Sequence, residues 1–526
     1  MTLIVPARTA RIERAKRAAY ESFEAFCRLM MPAAVPGQKV VWAWYHSAIC
    51  DHMQALYDGR IRRLLIAIPP GHTKSTIISI LYPCWVWLNS PWESFLCGSH
   101  SLKLATRLNV DRRRILDSPL YQELLQPQWQ KEKGSWQKTV FKNTDGGQML
   151  VTNTITPSAL GEHVDQQILD DPAQNKWAYG PQLQQVNEQF GSTLQSRFRN
   201  QNEAKTCVVA QRLATLDLIG YLLENEPERW DYLCLPAEYD PEFSTPPTSI
   251  GFTDPRTVKG QILSPVRHPR ESLEYIRHKH GSGVYQSQQL QRPKAAGYGN
   301  IFSTDWWQFW QPSAEHGGLP GRIEQYIGVV DSAFGEASSE SDFTCVQVWG
   351  RIGRHAYLLD QIHDRITFTE LMTRLLGPVI ASKRSGGGLI ERWQACTTWH
   401  IEQASNGGAI VSTLREHMPR TATIVSIDPR GDGSKLAKAV AVSPIVEGGY
   451  AHLPDPETHS WVPGLVEEGA QFGAGAPHDD RVDCVRMALS HFGARIGVGS
   501  YVPKREKPSS DFSAAASRWG APGTMR

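Results

Sequence analysis

The chain has 526 residues, beyond the roughly 250–300 at which one hydrophobic core stops growing, so more than one domain is expected. Its 41% hydrophobic and 21% charged content is that of an ordinary soluble globular protein, and a net charge of +2 excludes a global basic field, so any nucleic-acid contact must rest on local patches. Nine cysteines without a C-x-x-C pair exclude a zinc ribbon and a disulfide framework and suit a reducing cytoplasm, and no apolar run reaches the ~18 residues of a membrane span.

The N-terminal stretch "TARIERAKRAAYESFEAFCRLMM" reads as an amphipathic helix with a basic start, packed on one face. From Arg63 to about Ala237, short apolar runs alternate with helical patterns. "RLLIAI" (63–68) predicts a strand, followed by the loop "PPGHTKST" and a helix from Lys74. "SFLCGS" (94–99), "QMLVTNT", "QQILDD", "KTCVVAQR" (205–212) and "DYLCLPA" (231–237) predict further strands, with a basic amphipathic helix at 101–117. Strands alternating with helices predict a mostly parallel sheet covered on both faces.

The loop approaches the phosphate-binding signature G-x-x-x-x-G-K-[ST] but places Ile68 and Thr73 where the two glycines belong. Gly71, Lys74 and Ser75 remain, and the strand–loop–helix context is right. Such a loop works by aiming backbone N–H groups and a helix N-terminus at phosphate. Residues Gly71, His72, Thr73, Lys74, Ser75 and Thr76 are therefore the expected cradle. Lys74 would reach the terminal phosphates, and Ser75 the Mg²⁺. Thr73 is expected at negative φ, because a β-branched residue is strained at positive φ. Downstream, "QQILDDPA" ends a strand in two acids. Asp170 is the expected Mg²⁺ partner and Asp171 the residue that polarises the attacking water. The two motifs together point to ATP. An arginine that stabilises the transferring phosphoryl is expected among Arg107, Arg112, Arg113, Arg114, Arg197, Arg199 and Arg212, with no basis in sequence for choosing.

Residues 238–310 change character: "DPEFSTPPTSIGFTDP" is loop-like, "PRESLEYIRHKHG" a short helix, and the whole a connecting subdomain between residues 1–237 and a second α/β unit at 311–502. In that unit "RIEQYIGVVD" ends a strand in Asp331, "FTCVQVWGRIGRHAYLLDQIHD" predicts a hairpin, "TTWHIE" ends in Glu402, and "PHDDRVDCVRMAL" opens the last helix at Asp479 and Asp480. Residues 503–526 read as a disordered tail. Carboxylates gathered from distant segments favour Mg²⁺ or Mn²⁺, and a pair of such ions cleaves phosphodiesters. Asp331, Glu402 and Asp480 are the expected catalytic acids and metal ligands. Asp479 is the alternative ligand, with helix capping its favoured role, and Asp483, one turn on, could also face the site.

Taken in order, these motifs resemble the large terminase subunit of tailed bacteriophages, an ATP-driven DNA-packaging motor fused to a nuclease. "RLLIAIPPGHTKST" looks like that family's deviant Walker A, "ILDDP" its Walker B, "AQRLATLDLIGYLLE" its coupling segment and "SGVYQSQQLQRP" its connector. "VVDSAFG…SDFT", "IEQASNGGAIVSTLRE" and "HDDRVDCVRMAL" look like its nuclease motifs. The resemblance implies an α/β P-loop ATPase domain of the ASCE type followed by an RNase H-like nuclease domain. It implies double-stranded DNA, a portal protein and a small terminase subunit as partners, a homo-oligomeric ring (a pentamer) on the capsid, and work in the host cytoplasm without a membrane. Two positions depart from the family: Glu162 stands where an arginine finger is usual, and Asp171 where a catalytic Glu is usual. A helicase–nuclease of DNA repair and a structural DNA-binding protein with a decayed nucleotide site are the competing readings. The 103–114 helix and "RSGGG" after Lys383 are candidate phosphate contacts.

Overall fold

The computed structural model describes residues 4–157, 161–178, 180–294, 301–332, 343–380, 383–384, 387–402, 407–418, 421–428, 434–473 and 478–496. The expected tail, most of "SAFG…SDFT", "QASN" after Glu402 and part of "RSGGG" lie outside the described residues.

The N-terminal segment forms two helices, α1 (Ile4–Glu21) and α2 (Phe23–Ala34), rather than one. Ser22 stays extended between them, and its hydroxyl accepts from the Ala25 N–H, which starts a new helix. After α3 (Trp44–Tyr57) come β1 (Arg63–Ala67), β2 (Phe95–Ser99), β3 (Val140–Lys142), β4 (Gln148–Asn153), β5 (Gln166–Asp170), β6 (Lys205–Ala210) and β7 (Asp231–Cys234). They form one sheet in the order β3-β4-β2-β5-β6-β1-β7, parallel throughout except for β3 against β4.

Alternation along the buried strands sends neighbouring residues to opposite faces. Leu64 and Ile66 join a core with α2, α3, α4 (Tyr82–Asn89) and α5 (Leu102–Leu116). Leu65 and Ala67 join a second core with α6 (Gln182–Gln189) and α7 (Leu218–Asn225). The helical layers on both faces leave the C-terminal strand ends as the place where loops converge.

The connecting stretch contributes α8 (Arg270–Val284), kinked at Gly281. Beyond it lie β8 (Gln308–Trp310), β9 (Gln325–Asp331), β10 (Thr344–Ile352), β11 (His355–Asp364), α9 (Phe368–Leu376), the small ribbon β12 (Val379–Ile380) and β13 (Lys383–Arg384), and α10 (Leu389–Arg392). Then come β14 (Thr398–Glu402), α11 (Gly407–His417), β15 (Thr423–Ile427), α12 (Lys435–Glu447), β16 (Ala451–Pro454), α13 (Val462–Gln471) and α14 (Asp480–Phe492). The second sheet runs β15-β14-β9-β10-β11-β16-β8. The expected hairpin is β10–β11, antiparallel with β9, whereas β14 and β15 lie parallel to β9. Ile327 and Val329 of β9 face a core with α12, α13 and α14; Val330 faces another with α9 and α11. All nine cysteines are free, and all but Cys234 are buried. No helix among the described residues is long and apolar enough to cross a membrane.

Candidate active sites

The first site lies where β1, β5 and β6 end together. The loop leaving β1 reaches a helix that begins at Lys74, passes through a π-helical stretch at Thr76–Leu81 and continues as α4. Gly71 has φ +81°, and a Cβ there would meet the His268 ring at 3.0 Å, so both conformation and space require glycine. Thr73, expected at negative φ, has φ +60°. It takes up the left-handed conformation for which the signature uses its second glycine. For a non-glycine residue that costs about 1–3 kcal/mol. The strain is held by tertiary contact: His46 Nε2 and Thr73 Oγ1 are 2.9 Å apart. Left-handed residues within such a turn make successive N–H groups converge into an anion nest, continued by the unbonded N–H groups of the first helical turn.

His72, between the two left-handed residues, buries its ring. The imidazole stacks on His268 at 4.7 Å and meets Tyr45 edge-on. Nδ1 bonds the Pro70 carbonyl at 3.0 Å. Burial, aided by the neighbouring His268, pushes its pKa down to about 4.

The Lys74 ammonium is buried and bonded to Asp171 Oδ1 at 2.8 Å and Gln211 Oε1 at 2.6 Å. β6 lies between β1 and β5, so its C-terminal extension delivers Gln211 beside the loop lysine. Asp170 is 2% exposed; one oxygen accepts from Ser79 Oγ at 2.7 Å, and Oδ1 is buried without a hydrogen-bond partner. Burial and the adjacent Asp171 raise its carboxyl to about 6, against the pull of Lys74, Ser79 and Ser75. An orphaned buried carboxylate oxygen near a serine hydroxyl suits a magnesium ion, which takes few protein oxygens and completes its shell with phosphate and water. Asp171 has φ +45°, and its carbonyl accepts from His100 Nδ1 at 2.8 Å.

Of the candidate arginines, Arg112 is fully buried and bonded to the Ser79 carbonyl and Asn109, which makes it an internal strut. Arg212 is paired with Asp217 at 2.9 Å, Arg199 with Asp165, and Arg114 with Asp111. Glu162 accepts from Gln148.

The second site gathers three carboxylates from three elements. Ile327, Val329 and Asp331 share one face of β9, and Glu402 ends the neighbouring parallel strand one step past the Ile401–Val330 pair. α14 crosses the same face and supplies Asp483. One oxygen from each of Asp331, Glu402 and Asp483 lies within 4.8 Å of the others, and all three side chains are buried. Oxygen-only donors at this spacing suit a hard divalent cation. Burial, with the charges of Glu402 and Asp483, holds the Asp331 carboxyl well above the usual range, a cost that a bound cation would relieve.

The acid that completes this set is Asp483 rather than Asp480, the residue favoured in sequence. Asp480 opens α14, and its charge acts on Asp331 without joining the three-carboxylate set. Asp479 does not cap the helix through its side chain. Glu468 of α13 does so instead: Oε1 accepts from the Arg481 and Val482 N–H groups at 2.7 and 3.1 Å. Asp479 turns to Lys435 Nζ at 3.1 Å. Lys435 also reaches Asp483 Oδ2 at 2.8 Å. Buried Arg486 lies 3.0 Å from Asp483 Oδ1 and 3.6 Å from Glu402 Oε1. Lys435, Arg486, Glu468, Gln211 and Ser79 were not singled out in sequence. Arg486, three residues after Asp483 on one helix face, carried a signal that was open to reading; Lys435 and Glu468 arrive from separate helices and carried none.

Residues 328–492 match the family model of the terminase RNaseH-like domain. No curated protein matches the chain by sequence. Among solved structures, the chain is similar to the large terminase of a thermophilic bacteriophage, at 12% identity, over 84% of this chain and 98% of that one, with a TM-score of 0.43. It is similar to the bacteriophage HK97 large terminase at 10% identity, over 87% and 96%, with a TM-score of 0.34. It is also similar to the human cytomegalovirus terminase nuclease domain at 14% identity, over 36% and 90%, with a TM-score of 0.24. Likenesses this loose carry no residue roles.

Proposed function

We propose that this chain, whose residues 328–492 match the terminase RNaseH-like family, is a large terminase subunit: an ATP-driven motor that moves double-stranded DNA into a procapsid and a metal-dependent endonuclease that cuts concatemeric DNA. The observation that carries the reading is the meeting of Asp331, Glu402 and Asp483 on one face of the sheet in the matched region. Residues 1–237 are the ATPase domain, 238–310 a connecting subdomain and 311–502 the nuclease domain.

At the nucleotide site, the N–H groups of residues 71–76 cradle the phosphates. Lys74 would leave Asp171 and Gln211 to neutralise the terminal phosphate, Ser75 and Asp170 would hold Mg²⁺, and Asp171, once released, would orient the attacking water. At the nuclease site, Asp331, Glu402 and Asp483 would hold Mg²⁺ or Mn²⁺, while Arg486 fixes the Asp483 and Glu402 carboxylates in place. Such ions would supply a water activated for attack and charge to offset the leaving oxygen of a phosphodiester. Portal protein, a small terminase subunit and a homo-oligomeric ring, a pentamer on the capsid, are the partners this function requires; the setting is the host cytoplasm.

Two substitutions separate the activities. Lys74→Ala is expected to lower ATP hydrolysis and DNA packaging by at least about a hundredfold, since one charge-stabilising contact at a transition state is worth roughly that much, and to leave Mn²⁺-dependent DNA cutting intact. Asp331→Ala is expected to do the reverse. Cutting that persists in Asp331→Ala refutes the nuclease assignment; ATP hydrolysis that persists in Lys74→Ala refutes the motor assignment.

A further inference from the structure

Among the described residues, the two cations that contact these acids differ in how they are held. Arg486 is 5% exposed, lies on α14 beside the acids it serves, and contacts both Asp483 and Glu402. Lys435 comes from the first position of α12, where Ser434 caps the helix by accepting from the Ala437 N–H. Its ammonium sits 2.8 Å from Asp483 Oδ2 and 3.1–3.2 Å from both oxygens of Asp479. Its side chain is 52% exposed, whereas that of Asp483 is 0% exposed. Asp483 therefore cannot leave, Arg486 is packed in, and of the two cations Lys435 is the one with a path to water. A four-carbon stem at a helix start swings out at the cost of two ion pairs, one of them to a part-exposed acid and so weak.

We propose that Lys435 is a built-in competitor for divalent cations: its ammonium occupies the Asp479–Asp483 side of the acidic cluster, and an ion that takes those oxygens must first displace it. This rests on reading the cluster as a metal centre. The device gives the nuclease a threshold. The Asp331–Glu402 side loads first, and full loading waits until Lys435 is drawn away. The far end of α12 is anchored to the connecting helix: Glu447 Oε2 accepts from the Ser282 N–H at 2.9 Å, and Pro444 packs at the Gly281 kink of α8. The element that presents the lysine is thus seated on the segment that joins the two halves of the chain.

The test is Mn²⁺ titration of the full-length protein without nucleotide, read by calorimetry and by Mn²⁺ electron paramagnetic resonance. It compares wild type with Lys435→Met, which keeps the apolar stem, Lys435→Arg, which keeps the charge, and Asp331→Ala. Thermal unfolding shows that each variant is folded. Removing a cation about 3 Å from a ligand oxygen is expected to tighten the Asp331-dependent binding by about tenfold or more, because charges this close at a protein surface interact strongly. Lys435→Arg is expected to stay within about threefold of wild type. Unchanged or weaker Mn²⁺ binding in Lys435→Met overturns the proposal and leaves the metal centre standing. Mn²⁺ binding that is unaffected by Asp331→Ala in every background overturns the metal centre itself.

Discussion

At the scale of the residue, the loop after β1 shows a local rule overridden by a contact. A threonine at positive φ is disfavoured by its own branched side chain, and from the sequence alone negative φ was the sound expectation. His46, 27 positions earlier, holds the hydroxyl and fixes the strained form. The neighbouring His72 is buried as a neutral ring with a pKa of about 4, against 6.5 when unperturbed. Below pH 6.5 the unfolded chain takes up a proton that the folded chain refuses until about pH 4. Stability is therefore lost as pH falls through that window. At about 1.4 kcal/mol per unit the loss is on the order of 2–3 kcal/mol. His72→Phe, which keeps the ring stack, is expected to flatten the decline in denaturant-measured stability between pH 7 and pH 4 by that order. An identical slope in both proteins would mean that His72 is not the buried neutral base described. His46, also pushed down to about 4 by burial, leaves part of the slope in place.

At the scale of the element, α14 shows what sequence patterning reached and where it stopped. The strands ending in Asp331 and Glu402, the hairpin between them and the last helix were legible, because apolar alternation and turn residues mark such elements. The start of α14 was legible too, but its cap was not. "HDD" offers a local capping acid, whereas the folded chain uses Glu468 from another helix, an acid raised to about 7 chiefly by burial. The sequence favoured Asp480 over Asp479 and kept Asp483 as a residue that could also face the site, whereas the carboxylate that meets Asp331 and Glu402 is that of Asp483. Helical spacing makes Asp480 and Asp483 both plausible, and only the docking angle of α14 against β9 and β10 turns Asp483 inward. Glu468→Ala is expected to cost about 1–2 kcal/mol, the usual worth of a cap, and to speed amide hydrogen exchange at Arg481 and Val482. Asp479→Ala is expected to cost under about 0.5 kcal/mol, as an exposed ion pair does. The opposite ranking would return the cap to Asp479.

At the scale of the whole molecule, the described residues hold two seven-stranded sheets, each with its own pair of main cores. The chain's length made more than one unit expected, and the strand–helix alternation of the first half and the acid-ended strands of the second suggested where they lie; the ion pairs of Lys435 with Asp479 and Asp483 and the Ser282–Glu447 hydrogen bond, which tie α12 to its neighbours, come from packing that no local pattern encodes. Two separate sets of cores predict two calorimetric unfolding transitions. On the proposed function, a non-hydrolysable ATP analogue added at constant Mg²⁺ binds the first half alone. At a hundredfold excess over its dissociation constant it adds about 2.7 kcal/mol to that half, and is expected to raise one transition and leave the other unmoved. A single transition that shifts as one would show that the halves unfold together. The free thiols extend this to native conditions. Six cysteines belong to the first half and three, Cys345, Cys396 and Cys484, to the second, with Cys234 the only one not sealed. A reagent that alkylates thiols reaches the rest only when their half opens. The labelling rate at each site, followed by peptide mass, thus reads the opening free energy of either half separately. Wild-type protein already carries these reporters, with no engineered probe.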